Sequence, residues 1–495
     1  MQYLKFLKSE INPHKDEWII ILCVFLFIIL RIPSLVEPYW YGDEGIYQVI
    51  GKALNSGRML YEGIWDNKPP ILYLIYALFN GEQFLVRFIS LITGVFSVIT
   101  FFFLGKKLFK NKKSIYVSTL LYAFLFGSPV IEGNIANAEN FMHLPILLSA
   151  ITLFYYLDKK KSKYIFLSGL FISIAFMTKI VAAFEFMAFS IFLYLENNPG
   201  FSFRRLKDFI KVGKIKSEII FFTGFISLFI LFAVYYFTVG IFPDFMSAVL
   251  SENIDYVGYE NEFIFPMGIL VVKIFILIFG VSYIFIKRKA ISKSALFIYL
   301  WLIFSLFSTF FSQRPYTHYI LMSSIPFSYF IGHILDEKKN RIVKTIAAAV
   351  LLIVVYFNFV IYKSVFAYYK NYIQFTLGSK STENYQAFFD TNTPRDYELA
   401  RFIEMFSSGG KYDIFLWSDS GQIYALSNTL PPGRYIVAYH ITYYNNAVSY
   451  MVEQVEKTKP RFIIKTKESP ELKKFLPSYV LRYKIRGADI YEREN

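Results

Sequence analysis

The sequence is poor in cysteine and in charge. Cys23 is the one cysteine among 495 residues, which excludes an intramolecular disulfide framework and a site built from several thiolates. Charged residues make up 18% of the chain and apolar residues 55%, against roughly 25% and about 45–50% in soluble globular domains. The mean hydropathy of +0.41 therefore excludes a largely disordered chain and argues against one that is soluble throughout.

Long apolar runs recur along residues 1–363. A membrane-spanning helix needs about 20 mostly apolar residues. The first run follows several lysines and lacks a small-residue cleavage site, so we expect a retained signal anchor. We predict about eleven spans, near 17–36, 84–104, 114–131, 140–157, 164–179, 181–196, 218–240, 266–286, 294–312, 319–335 and 342–363.

Lysine and arginine are shared unevenly between alternate loops, and basic loops favour the cytoplasm. With the N-terminus inside, the inside loops hold the basic clusters at 106–113, 159–163, 204–216, 287–293 and 338–344. The outside loops then hold only Lys52, Arg58, Lys68, Lys179 and Arg314. The basic residues behind the net charge of +15 are thus distributed according to membrane sidedness. This distribution argues against nucleic acid as a partner. We predict an α-helical polytopic membrane protein with its C-terminus outside.

Residues 364–495 have a different pattern. Their apolar runs are short and typical of strands, with candidates at 412–417, 435–438 and 461–465 and a hairpin at 479–492. A helix is expected at 449–457, leading into the 461–465 strand. The order of elements predicts an extracytoplasmic α/β domain of about 130 residues after the transmembrane domain at 1–363.

The outside loop 37–69 carries Asp43 and Glu44 directly after an aromatic cluster. Residues 45–54 form an amphipathic pattern that predicts a helix on the membrane surface, and residues 69–79 predict a short interfacial helix. A carboxylate at a membrane boundary is costly unless it is paired or functional. The alternative is that both acids are solvated loop charges.

A second short loop leads into the fourth span, where Glu139 and His143 lie one helical turn apart on one face. The cations predicted on the same side are Lys68, Lys179 and Arg314, with His318 nearby. Arginine and lysine bind phosphate oxygens well. The alternative is that these long side chains reach the interface from span ends without any ligand.

Four segments resemble one known superfamily. They are GDEGIYQVIGKAL at 42–54, DNKPPILYLIYALF at 66–79, ANAENFMHLPILL at 136–148 and RPYTHYILMSSIPF at 314–327. Together they resemble the GT-C membrane glycosyltransferases, and more narrowly the bacterial relatives of protein O-mannosyltransferases and of the lipid A aminoarabinose transferase. The tail resembles the outside α/β domains of many bacterial members, through WSDSGQIYALSNTLPPGRYI and KPRFIIK.

The resemblance implies a polyprenyl-phosphate-linked sugar donor, used on the outer face with inversion at the anomeric carbon. Asp43 would be the catalytic base, Glu44 the adjacent family acid and Glu139 the acid of the second loop. Lys68 would lie near the donor phosphate. The preceding residue is an acid that helps to hold a metal in some relatives, but here it is Asn67.

The chemistry requires few groups. An attacking hydroxyl needs a carboxylate within hydrogen-bond reach, and a phosphate leaves readily when cations hold its charge. We expect Asp43, Lys68, Glu139 and Arg314 to line one cavity, with His318 and Lys179 as further phosphate-binding candidates. No cofactor has a recognisable motif. Asp43, Glu139 and His143 offer oxygen and nitrogen ligands for a divalent cation. Their spacing in the sequence does not match a known metal-binding motif.

Two other functions remain as alternatives. A transporter or flippase of a lipid-linked glycan would be expected to show internal repeats and polar residues deep in its spans, and Glu185 is the main such residue. A non-catalytic scaffold would not need acids at span boundaries. The expected location is a bacterial plasma (inner) membrane, with membrane lipids around the spans. The sugar is undetermined, and the acceptor could be a protein, a lipid A-like lipid, a cell-wall polymer or another lipid-linked glycan.

Overall fold

The structure is a computed structural model that describes residues 14–201, 215–254, 261, 268–337, 339–359, 364–406, 410 and 412–494. Several charged residues used to predict sidedness lie outside these ranges. They are Lys5, Lys8, Arg204, Arg205, Lys207, Lys211, Lys214 and Lys338.

Helices occupy all eleven segments that the apolar runs mark as spans. They are α1 (Lys15–Arg31), α4 (Gln83–Leu108), α5 (Lys112–Gly127), α6 (Ala138–Lys159), α7 (Ser162–Phe176), α8 (Ala183–Asn197), α9 (Lys216–Thr238), α11 (Gly268–Lys287), α12 (Lys293–Thr309), α13 (His318–Asp336) and α14 (Arg341–Asn358). Within the described ranges, seven apolar helices are long enough to cross a membrane: Lys15–Val36, Gln83–Leu108, Ala138–Lys159, Ile180–Asn197, Lys216–Thr238, Gly268–Ala290 and Arg341–Asn358. The chain is therefore a membrane-embedded multi-span protein, and the count of eleven spans stays a prediction.

Shorter elements lie between the long helices. The helix predicted at 69–79 is present as α3, Pro70–Leu78, and proline at its first position suits a helix start. The remaining short elements are α2 (Gly42–Asn55), α10 (Phe242–Met246), a π-helical turn at Ser247–Ser251 and 3₁₀ turns at Ile32–Val36, Pro129–Ile131, Ile180–Ala182, Arg288–Ala290 and Pro470–Phe475.

The tail forms the predicted α/β unit. Its elements are α15 (Val365–Thr376), α16 (Thr382–Ala387), α17 (Thr393–Phe406), β1 (Ile414–Trp417), α18 (Gln422–Leu426), α19 (Ala438–Tyr443), α20 (Ala447–Thr458), β2 (Phe462–Lys465), β3 (Tyr479–Ile485) and β4 (Ala488–Arg493). The sheet order is β1-β2-β4-β3, with β1 and β2 parallel and the other pairs antiparallel.

One predicted strand is wrong. Residues 435–438 are not a strand, because α19 begins at Ala438 and the segment before it is irregular. Tyr435, Ile436 and Val437 are nonetheless buried. Their apolar run therefore reflects burial in the core rather than pairing in the sheet.

Helix α2 is not a free helix on the membrane surface, which corrects the sequence prediction. Nine of its residues are buried, because α3 covers one side and α18 of the tail covers another. Backbones approach closely at both contacts: a Cβ on Gly51 would lie 2.7 Å from the Tyr76 carbonyl carbon, and one on Gly45 would lie 2.7 Å from the Gln422 nitrogen.

Two hydrophobic cores organise the molecule. One lies within the helix bundle, around residues such as Phe101, Phe189 and Trp301. The second joins α2 and α3 to the sheet of the tail, and includes Ile50 and Trp417. The tail is thus built onto the loop that follows the first long helix, and the predicted boundary at 363/364 stays a prediction.

Candidate active site

A cavity of about 780 Å³ lies where the tail meets one end of the helix bundle. It is lined by six of the residues that the sequence selected: Asp43, Lys68, Glu139, Lys179, Arg314 and His318. The expected common cavity for Asp43, Lys68, Glu139 and Arg314 is therefore observed. These side chains come from four loops or helix starts, all at the same end of the bundle because consecutive long helices bring the chain back to it.

Asp43 lies in the first turn of α2, where the partial positive charge of the helix N-terminus favours a carboxylate. The hydroxyl of Tyr47, one turn later, lies 3.3 Å from Asp43 Oδ2 and 3.1 Å from Asn137 Oδ1. Burial, with the charge of Asp43, raises the pKa of Tyr47 well above its usual value. Tyr47 is therefore a neutral hydrogen-bond donor that orients the carboxylate.

Lys68 lines the same cavity, with its ammonium 5.0 Å from the centre of the Tyr47 ring. Its Nζ is 3.4 Å from Asp66 Oδ2, which also accepts a hydrogen bond of 2.7 Å from the Tyr73 hydroxyl. Burial opposes ionisation of Asp66, but Lys68 and the hydrogen bonds outweigh it and hold the pKa of Asp66 below its usual value. Asp66 therefore stays charged and fixes Lys68 in position.

Glu139 and Lys179 form a direct ion pair. Asn137 caps α6 by accepting a hydrogen bond from the Ala138 N–H, so Glu139 falls in the first turn of that helix. Lys179 lies between α7 and α8, with its ammonium 4.7 Å from the centre of the Tyr319 ring. The pair thus joins two loops at the cavity wall.

A further cluster joins His318 to Tyr41 and Glu132, two residues to which the sequence analysis assigned no role. The Tyr41 hydroxyl donates a 2.6 Å hydrogen bond to Glu132 Oε2 and lies 3.0 Å from His318 Nδ1. Glu132 and His318 are also within 3.1 Å of each other. Two features of the sequence could have pointed to these residues. Tyr41 lies two residues before Asp43, and Glu132 is an acid in the second short loop.

Glu44 is not in the cavity, which corrects the sequence prediction. It is 1% exposed and accepts hydrogen bonds from Arg87 at 3.0 and 2.5 Å and from the Ala136 backbone N–H at 2.7 Å. Arg87 also donates a hydrogen bond of 2.8 Å to Glu37 Oε2. Glu44 therefore joins α2, α4 and the loop before α6, and has no access to a substrate.

His143 is also outside the cavity. Its ring is fully buried, stacks on Phe126 with centroids 4.2 Å apart, and its Nδ1 lies 2.9 Å from the Tyr122 hydroxyl. In the described part of the chain, no three histidine, cysteine, aspartate or glutamate side chains converge on a common metal position. The ligand set of Asp43, Glu139 and His143 thus does not fit a metal ion.

Known proteins resemble this chain in sequence and in fold. Residues 68–237, about a third of the chain, match the family model described as dolichyl-phosphate-mannose-protein mannosyltransferase. The fold is similar to that of ArnT from Cupriavidus metallidurans bound to undecaprenyl phosphate, with a TM-score of 0.55, 12% identity and coverage of 96% of this chain and 97% of that one. The family match and this likeness of fold support the resemblance to the GT-C membrane glycosyltransferases. The apo structure of the same ArnT gives the same TM-score at 13% identity, covering 95% of this chain.

One curated relative is similar in sequence. An uncharacterized protein of Aquifex aeolicus (strain VF5) is 28% identical over 188 residues, which are 34% of this chain. The match spans 37% of that relative's length. It therefore supports a relationship over part of each chain only.

The tail completes the cavity with residues that sequence reasoning did not select. Asp419, Tyr439, His440, Tyr443 and Tyr444 line it. Burial lowers the pKa of His440 to about 4, so its ring is neutral near pH 7, and its Nδ1 has no hydrogen-bond partner among the described residues. These positions lie more than 370 residues after Asp43, and no local signal connects them to it.

Proposed function

We propose that this protein transfers a sugar from a polyprenyl-phosphate-linked donor to an acceptor hydroxyl, with Asp43 as the general base. The observation that carries the proposal is that Asp43, Lys68, Lys179 and Arg314 line the same cavity. A carboxylate for the acceptor and cations for a phosphate are the two elements that this reaction needs.

The donor class is supported by two observations of different kinds. The cavity offers an ammonium or guanidinium group on three separate segments, through Lys68, Lys179 and Arg314. The similar ArnT structure contains undecaprenyl phosphate, and the matched family is described by a dolichyl-phosphate sugar. We therefore propose an isoprenoid phosphate as the leaving group.

The proposed step is a single displacement with inversion. The acceptor oxygen attacks the anomeric carbon while Asp43 takes the proton from that oxygen. The bond between the anomeric carbon and the phosphate oxygen breaks, and the electron pair stays on the lipid phosphate. Lys68 and Arg314 stabilise the resulting charge, so a protein general acid is not required.

In this proposal, the donor phosphate replaces a carboxylate as the ionic partner of each lysine. Lys68 is bonded to Asp66 and Lys179 to Glu139, so a donor phosphate competes with carboxylates that already hold the cations. Glu139 and Asp66 thereby act as positioning residues for the cations. In the proposed step, Lys68 and Arg314 are the groups that hold the phosphate charge.

The proposed location is the outer face of a bacterial plasma membrane, with the tail extracytoplasmic. The basic loops at 106–113 and 159–163 lie at the end of the bundle away from the cavity, where positive charge favours the cytoplasm. A donor sugar and its acceptor would then meet outside the cell.

Asp43→Asn tests the proposal, because it keeps the shape of the side chain and removes its basicity. General-base catalysis is typically worth about 10²–10⁴-fold. We expect transfer from a panel of polyprenyl-phosphate sugars to fall at least about a hundredfold, with undecaprenyl phosphate binding retained. The measurement is radiolabelled sugar transfer by purified protein in nanodiscs.

Glu62→Gln is the matched control, since Glu62 is an exposed acid of the same loop and should tolerate the change. Lys68→Ala should instead weaken binding of undecaprenyl phosphate. Near-normal turnover by Asp43→Asn would remove Asp43 from the mechanism.

A further inference from the structure

A second cleft of about 320 Å³ lies beside the main cavity. One wall is formed by residues 244–252, after α9, and the other by residues 434–445 of the tail. Tyr443 and Tyr444 line both the cleft and the main cavity. A molecule held in the cleft can therefore extend towards Asp43.

Aromatic rings form part of this cleft. The rings of Trp65 and Tyr444 have centroids 4.1 Å apart, and Tyr435 stacks on Tyr444 at 5.8 Å. Packing on both sides holds these rings rigid. Tyr443 is 46% exposed and presents its ring at the junction of the cleft and the cavity.

Polar groups of both signs complete the lining. Asp244 and Glu252 supply hydrogen-bond acceptors, whereas Arg434 and Asn445 supply donors. The Arg434 guanidinium lies over the Tyr435 and Tyr450 rings, at 5.1 and 5.3 Å, and its buried Nε has no hydrogen-bond partner among the described residues.

His440 adds a buried polar group nearby. It is 4% exposed, its ring centre is 6.1 Å from that of Tyr444, and its Nδ1 has no partner in the described part of the chain. Buried polar atoms are usually satisfied. Arg434 lines the cleft and His440 lines the adjoining main cavity, so one such atom at each supports a hydrogen-bonding ligand near the junction of the two.

We propose that this cleft binds a saccharide and is the acceptor subsite, an inference that rests on the proposed transfer reaction. A sugar ring has apolar C–H faces, which suit the Tyr443 ring, and a rim of hydroxyls that both donate and accept hydrogen bonds. The cleft volume lies at the lower end of the range for small-molecule sites, about 300–1,000 Å³. One or two rings of a glycan acceptor occupy the cleft while the reacting hydroxyl points into the main cavity.

Other acceptor classes fit the lining less well. Two carboxylates and one guanidinium in the lining disfavour a phosphate-bearing group. The five polar or charged side chains Asp244, Ser247, Glu252, Arg434 and Asn445 disfavour an acyl chain. A peptide that adds a strand needs a free sheet edge, but the described strands contribute no residue to this cleft.

Saccharide binding without donor tests the assignment. The full-length protein in nanodiscs is titrated calorimetrically with chitotriose, cellotriose and mannotriose. We expect at least one trisaccharide to bind, and Tyr443→Ala to weaken it by at least about tenfold through loss of the aromatic face. Tyr443→Phe should retain binding, and Glu252→Gln should weaken it independently.

Two controls separate the subsite from the rest of the protein. Tyr483→Ala, a half-exposed tyrosine on β3 of the same domain, should bind saccharide normally. Undecaprenyl phosphate should bind Glu252→Gln as it binds the unaltered protein, since Glu252 lines the cleft and not the main cavity. Absence of binding by all three saccharides, or unchanged binding in both Tyr443→Ala and Glu252→Gln, would overturn the assignment.

The outcome also distinguishes this inference from the proposed function. If saccharide binding depends on Tyr443 but no polyprenyl-phosphate sugar is transferred, the cleft stands and the transfer reaction fails. If transfer goes to a serine- and threonine-rich peptide, and that peptide's binding is lost in Tyr443→Ala, the acceptor is a peptide and the saccharide assignment is wrong.

Discussion

Asp43 and Glu44 are adjacent in sequence but have different surroundings. Successive residues of an α-helix point about 100° apart, so Asp43 faces the cavity while Glu44 faces Arg87 in the interior. An isolated buried charge is very unfavourable, whereas a fully hydrogen-bonded pair is tolerated. The Glu37–Arg87–Glu44 group is therefore a structural unit beside the candidate active site.

We expect Glu44→Ala to lower the free energy of unfolding by about 3–5 kcal/mol, because it leaves part of the buried Arg87 charge uncompensated. The milder Glu44→Gln should keep an acceptor for the Ala136 N–H and retain most transfer per folded molecule. Thermal unfolding in detergent and transfer assays measure the two effects. A fully stable Glu44→Gln protein with a transfer defect as large as that of Asp43→Asn would contradict this assignment.

At the scale of elements, the backbones of α7 and α9 approach each other closely. A Cβ on Gly169 would lie 2.1 Å from the Phe221 carbonyl oxygen, and one on Gly224 would lie 2.3 Å from the Phe166 carbonyl oxygen. Small residues allow such close approach of helices in membranes. The contact fixes α7, and the chain after it leads directly to Lys179 at the cavity.

Gly169→Ala should therefore force α7 and α9 apart and destabilise the protein by about 1–3 kcal/mol, the usual cost of overpacking. A lower melting temperature in detergent would be the readout. Gly200→Ala is the matched control, since a Cβ there would have no atom within 4 Å. Equal melting temperatures for the two variants would show that the helices can separate freely.

At the scale of the whole molecule, the shared core of α2, α3 and the tail determines the arrangement. Because Ile50 and Trp417 belong to the same hydrophobic core, the tail must lie on the same side of the membrane as loop 37–69. The cavity is enclosed between them, so the bundle and the tail are both needed to form it.

Topology reporters test this arrangement. Fusions at Lys160 and Lys289 should report the cytoplasm, following the basic loops, and a fusion at Asp413 should report the outside. An external reading at Asp413 together with a cytoplasmic one in loop 37–69 would contradict the shared core. A cytoplasmic reading at Asp413 would instead reverse the predicted sidedness.

The sequence by itself determined the helices and most of the strands. Apolar runs, proline before α3 and the strand patterns at 412–417, 461–465 and 479–492 are local signals, and local structure follows them. The sequence also selected Asp43, Lys68, Glu139 and Arg314, because charge is rare at the ends of apolar segments and each charge there needs a reason.

Only the tertiary structure decided which charges meet. It separated Glu44 from Asp43, moved His143 into the bundle interior and brought Asp419 and His440 to a cavity whose other residues lie hundreds of positions earlier. It also placed the apolar run at 435–438 in the core as an irregular segment. The physical reason is that helix rotation and domain packing set side-chain direction, and both depend on contacts between residues far apart in the sequence.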